Sequence, residues 1–374
     1  MSTTAYAPSS LSSKGTAQCQ ASTNPPALPQ SVPTGFDAQL AYVLGLCCNA
    51  ANDQYSDYVT NTPADPSNLF GPKSWQILSV APAPWDPDFS QIVAQGYTLK
   101  SHTNLSVYET DINGNSVQIP AGFIAQLEPT GTKKSSIIVV AFHGTQNSYE
   151  GGKIDIDVIP ATFGGLLGNL GSVHGGFYKQ YTTGSNGQGN LIDRVDGSLA
   201  QQIYQYFKEN EDPTISVKVT GHSLGGALAT LCALDIAFNF ESKFDAISMY
   251  SLASPRVADS WASDPSGVST LVSNYQEYVP DSYRIVNTLD SVPGRPTALT
   301  PPWPPVQNYC AHVFADDVAI QLGIVQPSAL YKNLISFSDA NTQNGTDSPP
   351  ECQGAHSCPA VYVPFLKRLA AKFA

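Results

Sequence analysis

The amino-acid sequence predicts an α/β protein built on a doubly wound, mostly parallel sheet with helices on both faces. Three observations carry this. SSIIVVAFHG, residues 135–144, is a continuous β-branched run ending in glycine, the pattern of a strand buried on both sides. VKVTGHSLGGALA, residues 217–229, passes from β-branched residues through a glycine and one serine into small helix formers. Strand-like and helix-like runs then alternate down the chain, as right-handed crossover units require.

The elements follow in order. Residues 1–35 are rich in Ser, Thr, Pro and Ala and read as a disordered or loosely packed arm. Residues 36–374 read as a single domain. FDAQLAYVLGLCCNAANDQY, 36–55, has the spacing of a helix with one buried face. GYTLKSHTNLSVYET (96–110) and SVQIPAGFIAQLE (116–128) flank DINGN, whose Asn-Gly suits a tight turn, so the two form a β-hairpin. The run at 135–144 is the central strand. LIDRVDGSLAQQIYQYFKEN, 191–210, is a helix, TISVKVT, 214–220, the next strand, and LGGALATLCALDIAFNF, 224–240, the next helix. FDAISMYSLASPRV (244–257) and YRIVNTLDSVPGRP (283–296) each read as a strand running into a loop.

Composition excludes several function classes. Of 374 residues, 42% are apolar, enough for a large core. The formal charge of −12 and the absence of any Lys/Arg run speak against nucleic-acid partners and polybasic membrane docking. No stretch reaches the ~18 apolar residues of a membrane span. MSTTAYAPSSLSSKG lacks the basic and apolar regions of a secretory signal. A soluble protein is expected, its compartment open between the cytoplasm, non-Sec export and a trimmed signal. The seven cysteines leave at least one free thiol; Cys232 reads as core, and Cys352 and Cys358 bracket a loop that either a disulfide or two reduced thiols would suit.

The chemistry centres on Ser223. G-x-S-x-G between a strand and a helix is a nucleophile elbow, a turn so sharp that side chains at 221 and 225 would strike neighbouring backbone. The turn lifts the hydroxyl to a helix N-terminus, where the Leu224 N–H and the helix dipole meet a developing oxyanion. A serine hydroxyl needs a base, and the base an orienting acid. In this sheet order the acid follows the nucleophile on a loop after a later strand, which favours Asp290 over Asp281 and Asp259. Of the histidines, only His312 and His356 follow Asp290. His312 lies in an extended run, NYCAHVF, and His356 on a loop before a final helix, so His356 is favoured as base. AFHGTQN, 141–147, leaves the central strand and offers Thr145 as a second oxyanion donor.

These segments together resemble one family, the class 3 lipases (fungal triacylglycerol lipase-like). FHGT looks like its FRGT/FRGS oxyanion stretch, with His143 in place of Arg, and SVHGGFYKQY resembles its V-H-x-G-F helix entry. VTGHSLGGALA resembles its elbow, LASPRV its GSPRVG loop, and YRIVNTLDSVPGRP its acid segment. The resemblance implies an α/β-hydrolase fold with Ser223 as nucleophile, Asp290 as acid, His356 as base, and Thr145 and Leu224 as oxyanion donors. It also implies a lid-like segment at 146–172, with Gly151, Gly152, Gly164, Gly165 and Gly168 as candidate hinges. Ile154, Ile156, Val158, Ile159, Phe163, Leu166, Leu167 and Leu170 then offer surface for an acyl chain or a lipid interface; ordinary core plus a flexible loop is the alternative.

The expected function is therefore hydrolysis of carboxylic esters, as a triacylglycerol lipase, on a lipid or ester substrate met in solution or at a lipid–water interface. Phospholipase A1 and a short-chain or feruloyl-type esterase are the enzymatic alternatives, and a non-catalytic binding module on the same scaffold is the other. No metal or organic cofactor is called for.

Overall fold

The computed structural model describes residues 27–61, 86–110, 116–131, 135–145, 160–165, 168–185, 187, 189, 191, 194–257, 259–261, 270–290, 292–294, 312–314, 333–338 and 355–374. Its centre is a seven-stranded sheet whose strands, in spatial order, are β1 (Tyr97–Thr110), β2 (Ser116–Pro129), β3 (Ile137–Phe142), β6 (Ser216–His222), β7 (Ile247–Leu252), β9 (Asp281–Asn287) and β11 (Asn333–Phe337). The β1–β2 hairpin and the β2–β3 pair are antiparallel, and every pairing from β3 to β11 is parallel. This is the doubly wound, mostly parallel sheet that the α/β-hydrolase expectation required.

The β-branched runs sit where burial on both faces demands them. Along β3, Ile138, Val140 and Phe142 enter one apolar cluster, while Ile137, Val139 and Ala141 enter the other, on the opposite face. Successive side chains of a strand point to opposite faces, so one run of six apolar residues serves two cores. Against the first face pack the helices Gly175–Thr182, Leu199–Glu209, Leu224–Phe240 and Thr270–Tyr278. Against the second pack the N-terminal helix, Ala38–Asn61, and the C-terminal helix, Val363–Phe373.

The helix Leu224–Phe240 is buried nearly all round, which explains its composition of Leu, Ala, Gly and Ile. Among the described residues, 224–243 is the one helical stretch long and apolar enough to cross a membrane, and 83% of that window is buried inside the protein. The N-terminal helix begins one residue after Asp37, whose carboxylate accepts the Leu40 N–H at 2.8 Å, and it runs past the expected end at residue 55 to Asn61. Of the 1–35 segment, residues 27–35 are described. Leu28 and Val32 pack on the second cluster, and Lys372 Nζ donates to Pro29 O at 2.6 Å.

Two expectations need correction. The helix placed at 191–210 starts at Leu199, because Ser198 Oγ accepts the Gln201 N–H at 3.1 Å and so caps it. Phe163 and Leu170, read as lid surface, belong to the first core cluster. They lie on β4 (Pro160–Gly165) and β5 (Gly168–His174), an antiparallel pair in which Gly164, Gly165 and Gly168 are strand residues. Residues 146–159, 166 and 167, with Gly151, Gly152 and the remaining lid candidates, lie outside the described residues.

Beside the first cluster lies a largely buried ion pair. Arg194, held at φ +42°, reaches Asp235 on the long helix with two bonds, at 3.0 and 2.7 Å, and Tyr181 Oη donates to the same carboxylate at 2.9 Å. Removing one partner strands a buried charge, whereas replacing both with apolar groups does not. We predict that Asp235→Leu destabilises the protein by about 3–5 kcal/mol and that Arg194→Met in the same chain recovers much of the loss. Chemical denaturation checks this; a single variant as stable as the parent contradicts it.

Candidate active site

Ser223 stands at the end of β6 with φ +57° and ψ −127°, a strained conformation for an L-residue. Such strain costs roughly 1–3 kcal/mol and persists only where the surroundings enforce it. Here they do. Ser223 N donates to Leu252 O on β7 at 2.9 Å, and Gly226 N donates to Ser223 O at 2.8 Å. A Cβ on Gly221 would run into the carbonyl of Gly225, and one on Gly225 into the carbonyls of Phe142 and His143. One on Gly226 would come within 2.7 Å of the Ser254 Cβ. The expected clash at 221 and 225 is therefore present, and the loop after β7 adds a third at 226.

The three predicted partners come together although they are far apart in sequence. His356 Nε2 lies 2.7 Å from Ser223 Oγ, and His356 Nδ1 lies 2.7 Å from Asp290 Oδ2. A carboxylate only accepts, so Nδ1 carries the proton and Nε2 is left to accept from the serine hydroxyl. Asp290 is fixed by two further donors. Val292 N bonds its Oδ1 at 2.9 Å, and Tyr362 Oη bonds its Oδ2 at 2.8 Å. Burial and the Asp290 charge push the Tyr362 phenol well above its ordinary value, which keeps it a donor. All three predicted residues are buried.

The rejected candidates lie elsewhere. Asp281 is the first residue of β9, at the opposite end of the sheet from the elbow. His312 and Asp259 sit in a separate two-stranded pair, β10 (His312–Phe314) with β8 (Asp259–Trp261). Cys358, two residues past the base, is a buried free thiol; Cys352 lies outside the described residues.

The oxyanion loop reaches the elbow through Gly144. A Cβ on Gly144 would sit 2.9 Å from His222 O and 3.1 Å from the Ser223 Cβ, so backbone closes on backbone there. Thr145 follows directly and is half-buried. Leu224 opens the long helix, so its N–H has no carbonyl partner within that helix. Both predicted donors thus belong to segments that border Ser223.

Sequence reasoning missed the residues that hold these loops. Asn52 Oδ1, on the N-terminal helix, accepts the Gly144 N–H at 2.8 Å, and Tyr55 stacks on the His143 ring with centroids 4.6 Å apart. Asn287 Nδ2 donates to Ala355 O at 2.9 Å, tying the end of the acid's strand to the residue before the base. Asn287 Oδ1 also accepts from Leu289 N at 3.2 Å. The one available signal was a buried-strand pattern, RIVN, ending in an amide. Among the described residues, no group of three or more His, Cys, Asp or Glu side chains is placed to hold a metal ion.

Two buried histidines give the site a pH dependence. Burial lowers the His143 pKa to about 4, against carbonyl bonds from Gly144 and Pro120 that favour the charged ring. Burial and the neighbouring His356 hold His222 well below its ordinary value. Both rings are neutral in the fold, while the unfolded chain protonates them near pH 6.5. Between pH 6.5 and 4 the unfolded state binds more protons, so stability falls as pH falls through that window. We predict a declining unfolding free energy over it, with a shallower slope in His143→Phe; an unchanged slope in that variant contradicts the assignment.

Residues 139–300 match the family model described as Lipase (class 3). The chain is 37% identical over 105 residues to a phospholipase A1-II 6 of Oryza sativa subsp. japonica, covering 27% of this chain and 25% of that one. It is 32% identical over 162 residues to a lipase of Rhizomucor miehei, covering 43% and 38% respectively. The chain thus spans about a quarter to two fifths of the length of these curated relatives. Among solved structures, the native Rhizomucor miehei lipase propeptide complex aligns over 73% of each chain, at 22% identity and a TM-score of 0.38. The matched segment, residues 139–300, runs from β3 through the elbow to the acid loop, and over it the chain is similar to class 3 lipases.

Proposed function

We propose that the protein is a serine carboxylic-ester hydrolase that cleaves acylglycerol-like lipids as a triacylglycerol lipase. The observation that carries the reading is the unbroken relay at the elbow: Ser223 Oγ to His356 Nε2 and His356 Nδ1 to Asp290 Oδ2, each at 2.7 Å. Ser223 Oγ attacks the ester carbonyl carbon while His356 Nε2 takes its proton. Asp290 holds the imidazole in the required tautomer and balances the imidazolium charge. The Leu224 and Thr145 N–H groups stabilise the tetrahedral oxyanion. The imidazolium then protonates the leaving alcohol, and an acyl-Ser223 ester remains. Water, deprotonated by His356, attacks that ester, and the fatty acid departs with Ser223 restored. The substrate is a lipid ester, met at a lipid–water interface. Residues 36–374 act as one unit in this reading.

A second reading, phospholipase A1, is favoured by one observation: relatives named phospholipase A1-II share 37% identity over 105 residues. The same relay serves both reactions, since each attacks an acyl ester carbonyl.

The test is hydrolysis of triolein, phosphatidylcholine and p-nitrophenyl esters from acetate to palmitate by the parent, Ser223→Ala and His356→Ala. Triolein turnover that both variants reduce by several orders of magnitude supports the lipase. Preference for the phosphatidylcholine sn-1 ester moves the assignment to phospholipase A1, and a short-chain optimum moves it to an esterase. Tyr362→Phe, which removes one of three donors to Asp290, is expected to cost about tenfold in kcat with little change in KM. A Tyr362→Phe enzyme at the parent rate contradicts a role for that hydroxyl.

A further inference from the structure

His222 precedes the nucleophile and takes no part in the relay, yet it touches three parts of the site. Its Nε2 lies 2.7 Å from the backbone carbonyl of His356. A carbonyl only accepts, so Nε2 carries the proton. Its ring packs beside the His356 ring, centroids 4.6 Å apart, and beside Tyr362, at 5.5 Å. On another side it meets the oxyanion loop: a Cβ on Gly144 would sit 3.1 Å from the His222 Nδ1. Residue 222 is 6% exposed, so these contacts leave it little room to turn.

We propose that His222 is a positioning residue: its neutral Nε2–H imidazole clamps the His356 backbone and fills the gap between the base, the Asp290–Tyr362 pair and the oxyanion loop. The inference rests on the Ser223–His356–Asp290 reading. His356 sits at a turn, and the last strand before it among the described residues, β11, ends at Phe337. Beside it, the Asn287 amide fixes residue 355, and the His222 imidazole fixes residue 356 itself. Both atoms of the reacting pair then hang from one short segment, since Ser223 is bonded to His222 through the main chain. Movement of β6 relative to the base loop is resisted at the very residue that must hold a 2.7 Å contact. A charged ring in this place would repel the imidazolium that forms on His356 during acyl transfer. Burial and His356 hold His222 in its neutral form.

The test compares His222→Phe, which keeps a ring and loses the donor, with His222→Gln, whose amide places an N–H near the position of Nε2. The clamp predicts that His222→Phe loses about 10- to 100-fold in kcat, with KM within about twofold, and that fluorophosphonate labelling of Ser223 slows by the same factor. His222→Gln recovers most of both. A His222→Phe enzyme within twofold of the parent, or a Gln variant as impaired as Phe, overturns the proposal. Should the Phe variant not fold, the parent itself gives the answer. Nitrogen-15 shifts of its histidines at neutral pH must show His222 as the neutral Nε2–H tautomer, and an Nδ1–H or doubly protonated ring overturns the clamp. Ser223→Ala separates the two readings. If it retains hydrolysis, the relay itself is wrong; if it is inactive while His222→Phe is not, only the clamp fails.

Discussion

Ser223 can hold its positive φ only because three glycines let backbone come closer than a Cβ would permit. Gly221 faces the Gly225 carbonyl, Gly225 faces the carbonyls at the end of β3, and Gly226 faces Ser254 after β7. Each contact joins the elbow to a different neighbour, so the turn is the point where β3, β6, β7 and the long helix meet. The sheet supplies the rigidity that keeps the strain in place, through strands buried on both faces. What the strain gives in return is position: the hydroxyl stands clear of β6, at a helix N-terminus, in reach of a histidine 133 residues later.

His356 and Asp290 are held by different means. Neither His356 nor Asp290 lies on a regular element, yet each is pinned by bonds from elements that do. Asp290 turns back on its own loop through the Val292 N–H and is met by Tyr362 from the wide turn at 358–362 that precedes the last helix. That turn opens with Ser357 Oγ accepting the Ala360 N–H, immediately after the base. The C-terminal helix packs on the N-terminal helix through the second apolar cluster, and the N-terminal helix in turn supplies Asn52 to the oxyanion loop. One face of the sheet thus braces both the His356 turn and the Gly144 loop.

Much of this was legible because local geometry dictates residue type. The elbow glycines, the β-branched strands and Asp290 just beyond a strand end each leave a mark within a few residues. His356 leaves a weaker mark, its position after Asp290 and on a loop; in the structure it lies against Ser223 and Asp290, while His312 sits in a separate strand pair. Asn52 and Gly144 are 92 residues apart, and no pattern in either segment announces their bond. Asn287 and Tyr362 were hidden in the same way, as polar groups whose partners come from distant loops. The error at 191–198 had a local remedy, since Ser198 is a capping residue in plain view. Phe163 and Leu170 had none, because apolar content alone does not distinguish a lid from a core.

In the proposed mechanism the elbow aims one hydroxyl at a carbonyl whose oxygen meets the N–H groups of Leu224 and Thr145. The most direct test is a crystal structure of the protein inactivated with a long-chain alkylphosphonate ester. Phosphorus is expected to be bonded to Ser223 Oγ, with a phosphonyl oxygen about 2.7–3.1 Å from both N–H groups and His356 Nε2 facing the leaving-group position. An adduct on another residue, or a phosphonyl oxygen turned away from Leu224 and Thr145, would contradict it.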